Sequence, residues 1–241
     1  MLIRKVIGTL LLVGLILAPA ALADEKLDQL EKEIAAKWKD IKSMTAKMEM
    51  SMDMDQSGMK MKQTMKAAVE YLRKAEKMMS RLEGESNVAM DMGGQTQNMK
   101  STMLAVSDGE FTHTLVEQMG QKMCMKSKAD ASATTGEEMI KLLKEQSDLS
   151  VGADEEVNGD KCWVLVAKSK QMQPGAAAKT CYYFRQKDGV IVQWIGYDAS
   201  DKQNMTVKFT DVKLNETIDP ACFEFKVPEG VQVMDNTGQQ P

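Results

Sequence analysis

Alternating apolar and polar residues dominate the first half of the chain. From Met44 to Met54 every second residue is methionine or alanine, and Thr, Lys, Glu, Ser and Asp stand between them. A period of two is the spacing of a β-strand with one apolar face. After a Gln-Ser-Gly turn at residues 56–58, methionines at similar spacing open a returning strand from Met59 to about Arg73. We therefore predict a long hairpin whose alternate side chains face inward.

Helical periodicity occurs in two places. Apolar residues recur at three- and four-residue steps from Leu27 to Ile41, which predicts an amphipathic helix over roughly residues 25–42 that carries Trp38 and Ile41. A Thr-Gly-Glu-Glu capping box at residues 135–138 predicts the start of a second helix, which contains Leu142 and Leu143.

The remaining pattern indicates many short strands. Examples are Met78–Leu82, Met103–Val106, Trp163–Val166, Tyr182–Phe184, Val190–Ile195 and Met205–Phe209, with turns such as Gly93-Gly94, Asp108-Gly109 and Asp188-Gly189 between them. Serial antiparallel strands with two helices predict an α+β fold. We expect a single strongly curved antiparallel sheet, an open and unclosed β-barrel, with helices covering the concave face. It forms one domain over residues 24–235, followed by a flexible tail at 236–241.

The beginning of the chain predicts export. Arg4 and Lys5 precede an apolar run from Val6 to Leu17, and a small-residue site at Ala21-Leu22-Ala23 follows. This order is typical of a secretory signal peptide over residues 1–23, cleaved after Ala23, and the run is short for a membrane span.

Charge and cysteine content narrow the function classes. The 241 residues include 31 basic and 35 acidic side chains, so the chain carries a net charge of −4 and has no basic stripe. We therefore expect no nucleic-acid partner, and we expect a monomer. Four cysteines in an exported chain make one or two disulfides an expectation, although three full pairings are possible.

Catalytic motifs are missing from the sequence. His113 is the single histidine, and no nucleophile motif stands near it, so a surface or packing role is the better interpretation. Phosphate-loop, dinucleotide and zinc-protease motifs are absent as well. We expect a protein that is not an enzyme and has no resident cofactor or metal.

Methionine is the anomalous residue: 17 of the 22 methionines lie between Met44 and Met125. Three interpretations compete. Methionine fills irregular cores, and a stripe on a strand is usually core. It also lines adaptable apolar pockets, where each buried methylene of an acyl chain contributes about 0.8 kcal/mol. Thioethers, finally, select Cu(I) or Ag(I), but residues i and i+2 on a strand stand about 6.6–7 Å apart, which is wide for sharing one ion.

We favour the pocket. Its predicted lining combines the inward methionines with the apolar residues of both helices: Trp38, Ile41, Met44, Met48, Met50, Met52, Met61, Met65, Met78, Leu142 and Leu143.

Several passages, in chain order, resemble the LolA-like periplasmic lipoprotein carriers. Residues 41–48 resemble the first strand of that family, residues 104–111 its Asp-Gly hairpin, and residues 156–165 a later strand entry. The strongest match is the end of the chain, Val207–Asn215 followed by Ile218-Asp219-Pro220 and residues 223–231. Together these passages cover nearly all of the chain after the predicted leader.

The resemblance implies an open barrel with a helical lid over an apolar cavity. It implies a periplasmic protein that binds the acyl chains of a lipid or lipoprotein and passes them from an inner-membrane donor to an outer-membrane acceptor. An arginine helps to lock the lid in the carriers, and Arg73 or Lys74 is the stand-in here. Some relatives bind glycolipids or act as periplasmic sensors that contact another protein, so a protein-binding sensor is a further alternative.

Overall fold

One open antiparallel sheet organises the chain in a computed structural model that describes residues 18–56, 59–75, 77–129, 136–171 and 176–238. The strand order is β13-β6-β5-β4-β3-β2-β1-β12-β11-β10-β9-β7, with β8 paired to β9, and its two ends do not meet. The helices are α1 (Ala18–Trp38) and α2 (Gly136–Gln146), and a short 3-10 helix spans Pro220–Phe223. The strands are β1 (Ser43–Gln56), β2 (Met59–Lys74), β3 (Lys77–Met92), β4 (Gln95–Ser107), β5 (Phe111–Gln118), β6 (Gln121–Lys128), β7 (Ser147–Val151), β8 (Glu155–Val157), β9 (Asp160–Ser169), β10 (Lys179–Arg185), β11 (Ile191–Tyr197), β12 (Gln203–Leu214) and β13 (Val233–Asp235).

This architecture confirms the predicted α+β fold with an open, unclosed sheet. Two details differ from the prediction. The strand expected at Met78–Leu82 continues to Met92, because β2 pairs with all of β3 and β4 pairs with it from Ser80 to Met92, polar residues included. The last strand, β13, was not predicted, and it pairs with β6 in parallel.

Helix α1 confirms the first predicted helix but has different ends. It begins at Ala18 and ends at Trp38, so Ile41 lies in the loop before β1 and not on the helix as predicted. Residues 1–17 of the predicted leader lie outside the described residues, and residues 18–23 belong to α1. Within the described part of the chain, no helix combines the length and the apolar character needed to cross a membrane.

The register identifies which residues share a face of the sheet. Leu165 stands opposite Tyr182, and Tyr182 opposite Trp194. Trp194 stands opposite Val207, which in turn stands opposite Met50. Directly opposed residues point to the same side of a sheet. Leu165 and Tyr182 pack with residues of both helices, so we call this side the helix face.

The helices cover one part of the helix face. Leu30 and Ile34 of α1 and Ile140 of α2 are buried against Leu165 and Phe184, and side chains of β7 and β11 complete this cluster. The apolar periodicity of both helices explains this packing, since their buried residues recur at helical spacing.

The C-terminal segment crosses the opposite side of the sheet. Arg81 Nη1 donates to the Cys222 carbonyl at 3.3 Å, Phe223 is buried, and the rings of His113 and Phe225 stack with their centroids 4.9 Å apart. Arg81 and His113 both stand opposite Val106, which is buried beneath this strap. The single histidine thus has a packing role. The C-terminal passage, which most resembles the carriers in sequence, covers the side of β3–β6 that is opposite the helix face.

All four cysteines are free thiols. The expectation of one or two disulfides is therefore wrong. Cys162 on β9 and Cys181 on β10 share one apolar cluster, but Cys162 stands opposite Arg185 and Cys181 opposite Val166. They are thus four residues apart along the ladder, about 13 Å, whereas a disulfide requires Cα atoms within about 7 Å. Burial raises the pKa of all four thiols.

Candidate ligand-binding face

Most methionines of the first six strands lie on the helix face, and Met79 of β3 lies on the opposite side. The register places Met50 opposite Met65, Met54 opposite Met61, and Met61 opposite Met90. We call this part of the sheet the methionine face. Its methionines are Met44, Met48, Met50, Met52, Met54, Met61, Met65, Met78, Met90, Met99, Met103, Met123 and Met125.

The two sides of these strands differ sharply in charge. Among the described residues of β1–β6, Arg73 carries the single charged side chain on the methionine face. The opposite side is rich in lysine and carboxylate residues, and it holds exposed ion pairs such as Lys66 with Glu49 at 3.0 Å and Lys47 with Asp211 at 2.7 Å. One side is therefore suited to water and the other to an apolar partner.

The centre of the methionine face is a packed cluster. Met48 and Met65 are 8% and 5% exposed. Met50 packs against the edge of this cluster, together with Tyr71, Leu82, Met103, Trp194 and Val212. The remaining buried members are Ala46, Ala67, Val69, Val207 and Phe209.

A glycine allows β2 and β3 to approach closely at this centre. A Cβ placed on Gly84 would lie 2.3 Å from the Lys66 carbonyl oxygen and 2.5 Å from the Ala67 Cβ. Gly84 stands opposite Ala67 on one side and Met103 on the other. Glycine inside a strand often marks such a close approach or a bend. The small residues Gly84 and Ala67 therefore leave room beside them for the long methionine side chains.

The predicted lining residues fall into two groups. Trp38 and Leu143 pack against the cluster beneath the helices, and Leu142 is half-buried. Ile41 is buried in the loop after α1. The predicted methionines belong to the other group: Met48, Met50 and Met65 form or contact the central cluster, while Met44, Met52, Met61 and Met78 are half-buried. The predicted methionines thus share one face of the sheet, but the predicted lining does not form one cluster, and its assignment to a ligand stays a prediction.

An aromatic series joins the two groups. The ring centroids of Tyr182 and Trp194 lie 6.4 Å apart, and those of Trp194 and Phe209 lie 5.4 Å apart. Tyr182 packs with the helix cluster and Phe209 with the methionine cluster. The sequence interpretation missed Trp194, Phe209 and Tyr71. Continuing the period of two through Met205, Val207 and Phe209, and from Met65 to Tyr71, would have found two of the three.

Arg73 and Lys74 separate clearly in the structure. Arg73 Nη1 donates to the Trp38 carbonyl oxygen at 3.2 Å, at the last residue of α1, whereas Lys74 is exposed. A cation at the C-terminus of a helix is favourable because the terminal carbonyls carry partial negative charge. The Trp38 indole also donates to the Gly189 carbonyl at 2.8 Å. Trp38 thus connects β2 to the loop between β10 and β11.

The loop that receives Trp38 is held by an ionic network. Arg185 donates to Asp188 at 2.7 Å through Nη2 and to Asp160 at 3.4 Å through Nη1. Lys187 donates to Asp160 at 2.9 Å, and this bond together with the two cations holds the pKa of Asp160 below its usual value.

Burial raises the pKa of Tyr71, the one tyrosine among the residues that contact the methionine cluster.

Comparison with known proteins gives a likeness of fold. No protein-family model and no curated protein matches the chain. A crystal structure of an uncharacterized conserved protein from Thermus thermophilus is similar over 88% of this chain and 98% of its own, with a TM-score of 0.51 at 15% identity. This chain shares the fold of that protein.

Two further solved structures carry titles from the predicted family. A putative outer membrane lipoprotein-sorting protein domain from Vibrio parahaemolyticus matches 81% of this chain and 94% of its own, at 12% identity with a TM-score of 0.37. A LolA superfamily protein from Nitrosomonas europaea matches 80% and 97%, at 9% identity with a TM-score of 0.29. These titles agree with the resemblance found in the sequence, and the shared fold itself is shown by the Thermus thermophilus structure.

Proposed function

We propose that this protein is an exported, non-enzymatic carrier that binds the acyl chains of a lipid or lipoprotein on its methionine face. The observation that carries the proposal is a face of six consecutive strands with a single charged residue, Arg73, among those described. A methionine-rich face with one charge is better suited to an apolar ligand than the charged opposite side of the same strands. The sequence resemblance supports the periplasm as the location and the outer membrane as the destination.

The chemistry of the lining suits acyl chains. Burial of one methylene contributes about 0.8 kcal/mol, so six or seven methylenes contribute on the order of 5 kcal/mol. Methionine is unbranched and polarisable, and it adapts to irregular apolar shapes. A carrier must also release its cargo, and an adaptable lining without specific polar contacts limits how tightly any one chain is held.

The position of Arg73 gives the proposed site a polar end. Its guanidinium lies at the edge of the methionine face beside the end of α1, opposite Met78 on β3. In this arrangement an acyl chain extends along the methionines, and its polar head lies toward Arg73 and the helix. The tie between Arg73 and Trp38 takes the lid-holding role that the resemblance assigns to an arginine.

The decisive experiment measures binding of a fluorescent fatty-acyl probe. We expect the wild-type protein to bind the probe and a Met50→Asp/Met61→Asp variant to bind it much more weakly. The matched control is Ser51→Asp/Thr64→Asp, which adds the same charge to the same hairpin on its exposed side, where the two residues stand opposite each other. Circular dichroism establishes that both variants are folded. Equal binding by the two folded variants would refute the proposal.

Lipid analysis provides an independent measurement. We expect mass spectrometry of gently purified protein to find co-purifying lipid or lipoprotein fragments. Protein that carries no lipid and does not bind the acyl probe would contradict the carrier function. A protein partner captured by such lipid-free protein would favour the sensor alternative.

A further inference from the structure

A row of three methionines crosses β1, β2 and β3 at the end of these strands away from Arg73. Met54 of β1 stands directly opposite Met61 of β2, and Met61 directly opposite Met90 of β3. On the next strand the row ends with Gln97. All three methionines are half-buried, and none belongs to a buried core cluster of the described residues.

The geometry of this row differs from that of methionines along one strand. Neighbouring strands lie about 4.8 Å apart, and directly opposed Cβ atoms are about 4.5–5.5 Å apart. Residues i and i+2 of a strand are about 6.6–7 Å apart. Three opposed methionines, each with three rotatable side-chain bonds, can therefore converge their sulfur atoms above the central strand.

We propose that Met54, Met61 and Met90 form a thioether site for a soft monovalent cation, Cu(I) or Ag(I). Thioether sulfur selects such ions over Zn²⁺, Ca²⁺ and Mg²⁺. The described residues contain no group of three His, Cys, Asp or Glu side chains that could hold a harder ion. The row also carries no cation that would repel the metal, because the lysines of these strands point to the other side.

The competing explanation for the row is that its methionines pack a core. The buried cluster around Met48 and Met65, on the same face, shows how methionines of a core are placed. Met48 and Met65 are buried together with Val207 and Phe209 of β12. Strand β12 pairs with β1 only as far as Met52, opposite Met205, so the row of Met54 lies beyond the last paired residue of β12. Methionines kept in a row outside the core are available to a ligand.

The test of the site measures bound metal and not bound lipid. Leucine replaces methionine with little change in volume or apolar character. A Met54→Leu/Met61→Leu/Met90→Leu variant should therefore keep the circular dichroism spectrum of the wild type and lose about one bound metal ion per chain. The matched control, Met103→Leu/Met123→Leu/Met125→Leu, removes as many thioethers from the same face, at positions that are not directly opposite one another.

The four free thiols also bind soft metals, so the readout must distinguish the two kinds of sulfur. Labelling the methionine methyl groups with ¹³C and titrating with Ag(I) does so in the full-length protein. Burial raises the pKa of every thiol, and mildly acidic buffer weakens thiolate binding further while leaving thioethers unchanged. We expect the methyl signals of Met54, Met61 and Met90 to shift together and to saturate at one equivalent.

The same titration can overturn the proposal. Silver that binds without moving these three methyl signals has gone to the cysteines or to other methionines, and the thioether site is then wrong. A triple-leucine variant that retains as much Ag(I) as the wild type has the same meaning. Competition for Cu(I) with a coloured chelator under reducing conditions tests copper separately from silver. Loss of Cu(I) binding in the triple-leucine variant, but not in the matched control, supports the site for copper.

Discussion

One face of a single sheet is built in two different ways. Under the helices it carries aromatic and branched side chains such as Phe184, Leu165 and Ile191, fixed in place by Ile34 and Ile140. Along β1–β6 the same face carries mainly methionine, serine and glutamine, and its buried cluster is assembled from strands alone. Branched and aromatic side chains have few rotamers and fill a defined space, whereas methionine adapts. The protein uses rigid residues where it packs on itself and adaptable ones where we propose that it packs on a ligand.

The largest expected effect contrasts cavities in the two halves. Phe184 is fully buried beneath the helices, so Phe184→Ala should lower the free energy of unfolding by about 3–5 kcal/mol. Met52 is half-buried on the methionine face, and Met52→Ala should cost roughly 1 kcal/mol. Urea denaturation followed by circular dichroism measures both. Equal losses would mean that the methionine half is as tightly packed as the helix half.

A smaller effect is expected where β2 and β3 approach each other. Gly84→Ala places a methyl group within 2.5 Å of Ala67 Cβ and should destabilise the protein by about 1–3 kcal/mol through overpacking. Glu85→Ala, on the exposed opposite side, should change the free energy of unfolding by less than about 0.5 kcal/mol. Thermal unfolding measures the stability of the two variants. A Gly84→Ala variant as stable as the wild type would show that β2 and β3 do not approach closely at Gly84.

The connection between the halves can be cut at Arg73. Arg73→Ala removes the hydrogen bond to the Trp38 carbonyl and should cost about 1–2 kcal/mol. Hydrogen exchange should quicken in the last turn of α1, and the bound acyl probe should dissociate faster. Lys74→Ala is the neighbouring control, because Lys74 is exposed and should affect neither rate. Unchanged exchange in Arg73→Ala would remove the lid-holding role.

The smallest effect concerns pH and belongs to the helix half. Lys187 and Arg185 hold the pKa of Asp160 below its unfolded value, so the carboxylate stabilises the fold above about pH 4. This contribution is lost as the pH falls through the lower folded-state pKa. Asp160→Asn should therefore cost a few tenths of a kcal/mol at neutral pH and flatten the acid side of the stability profile. A variant whose melting temperature follows the wild-type pH dependence would contradict this.

The predicted elements that held were those with a strong local signal. The alternation from Met44 placed β1 correctly, and the Asp-Gly turn placed the hairpin between β4 and β5. The shared face of the methionines also followed from the period of two. Strand β3 was predicted too short because polar residues after Leu82, among them Ser86 and Asn87, interrupt the apolar signal, although the pairing with β2 and β4 holds them in the strand.

Other features had no local signal. Ile41 continues the helical spacing of α1, yet the chain leaves the helix at Trp38 because the Trp38 carbonyl accepts from Arg73 and from the Ile41 amide. The site prediction joined the helix residues to the methionine stripe in one cavity. The structure places them on one face in two clusters connected by Tyr182, Trp194 and Phe209.

The periodicity of the chain by itself determined the strands, the helices and the sidedness of the methionines, because side-chain direction repeats with the backbone over a few residues. Only the tertiary structure decided which strands became neighbours, where the helices came to rest and that the C-terminal segment crosses the outer side. Those choices depend on partners such as Met50 and Val207, which meet across the sheet although most of the chain separates them. Distant pairing is settled by which whole arrangement buries the most apolar surface with its hydrogen bonds satisfied, and no short window of residues contains that information.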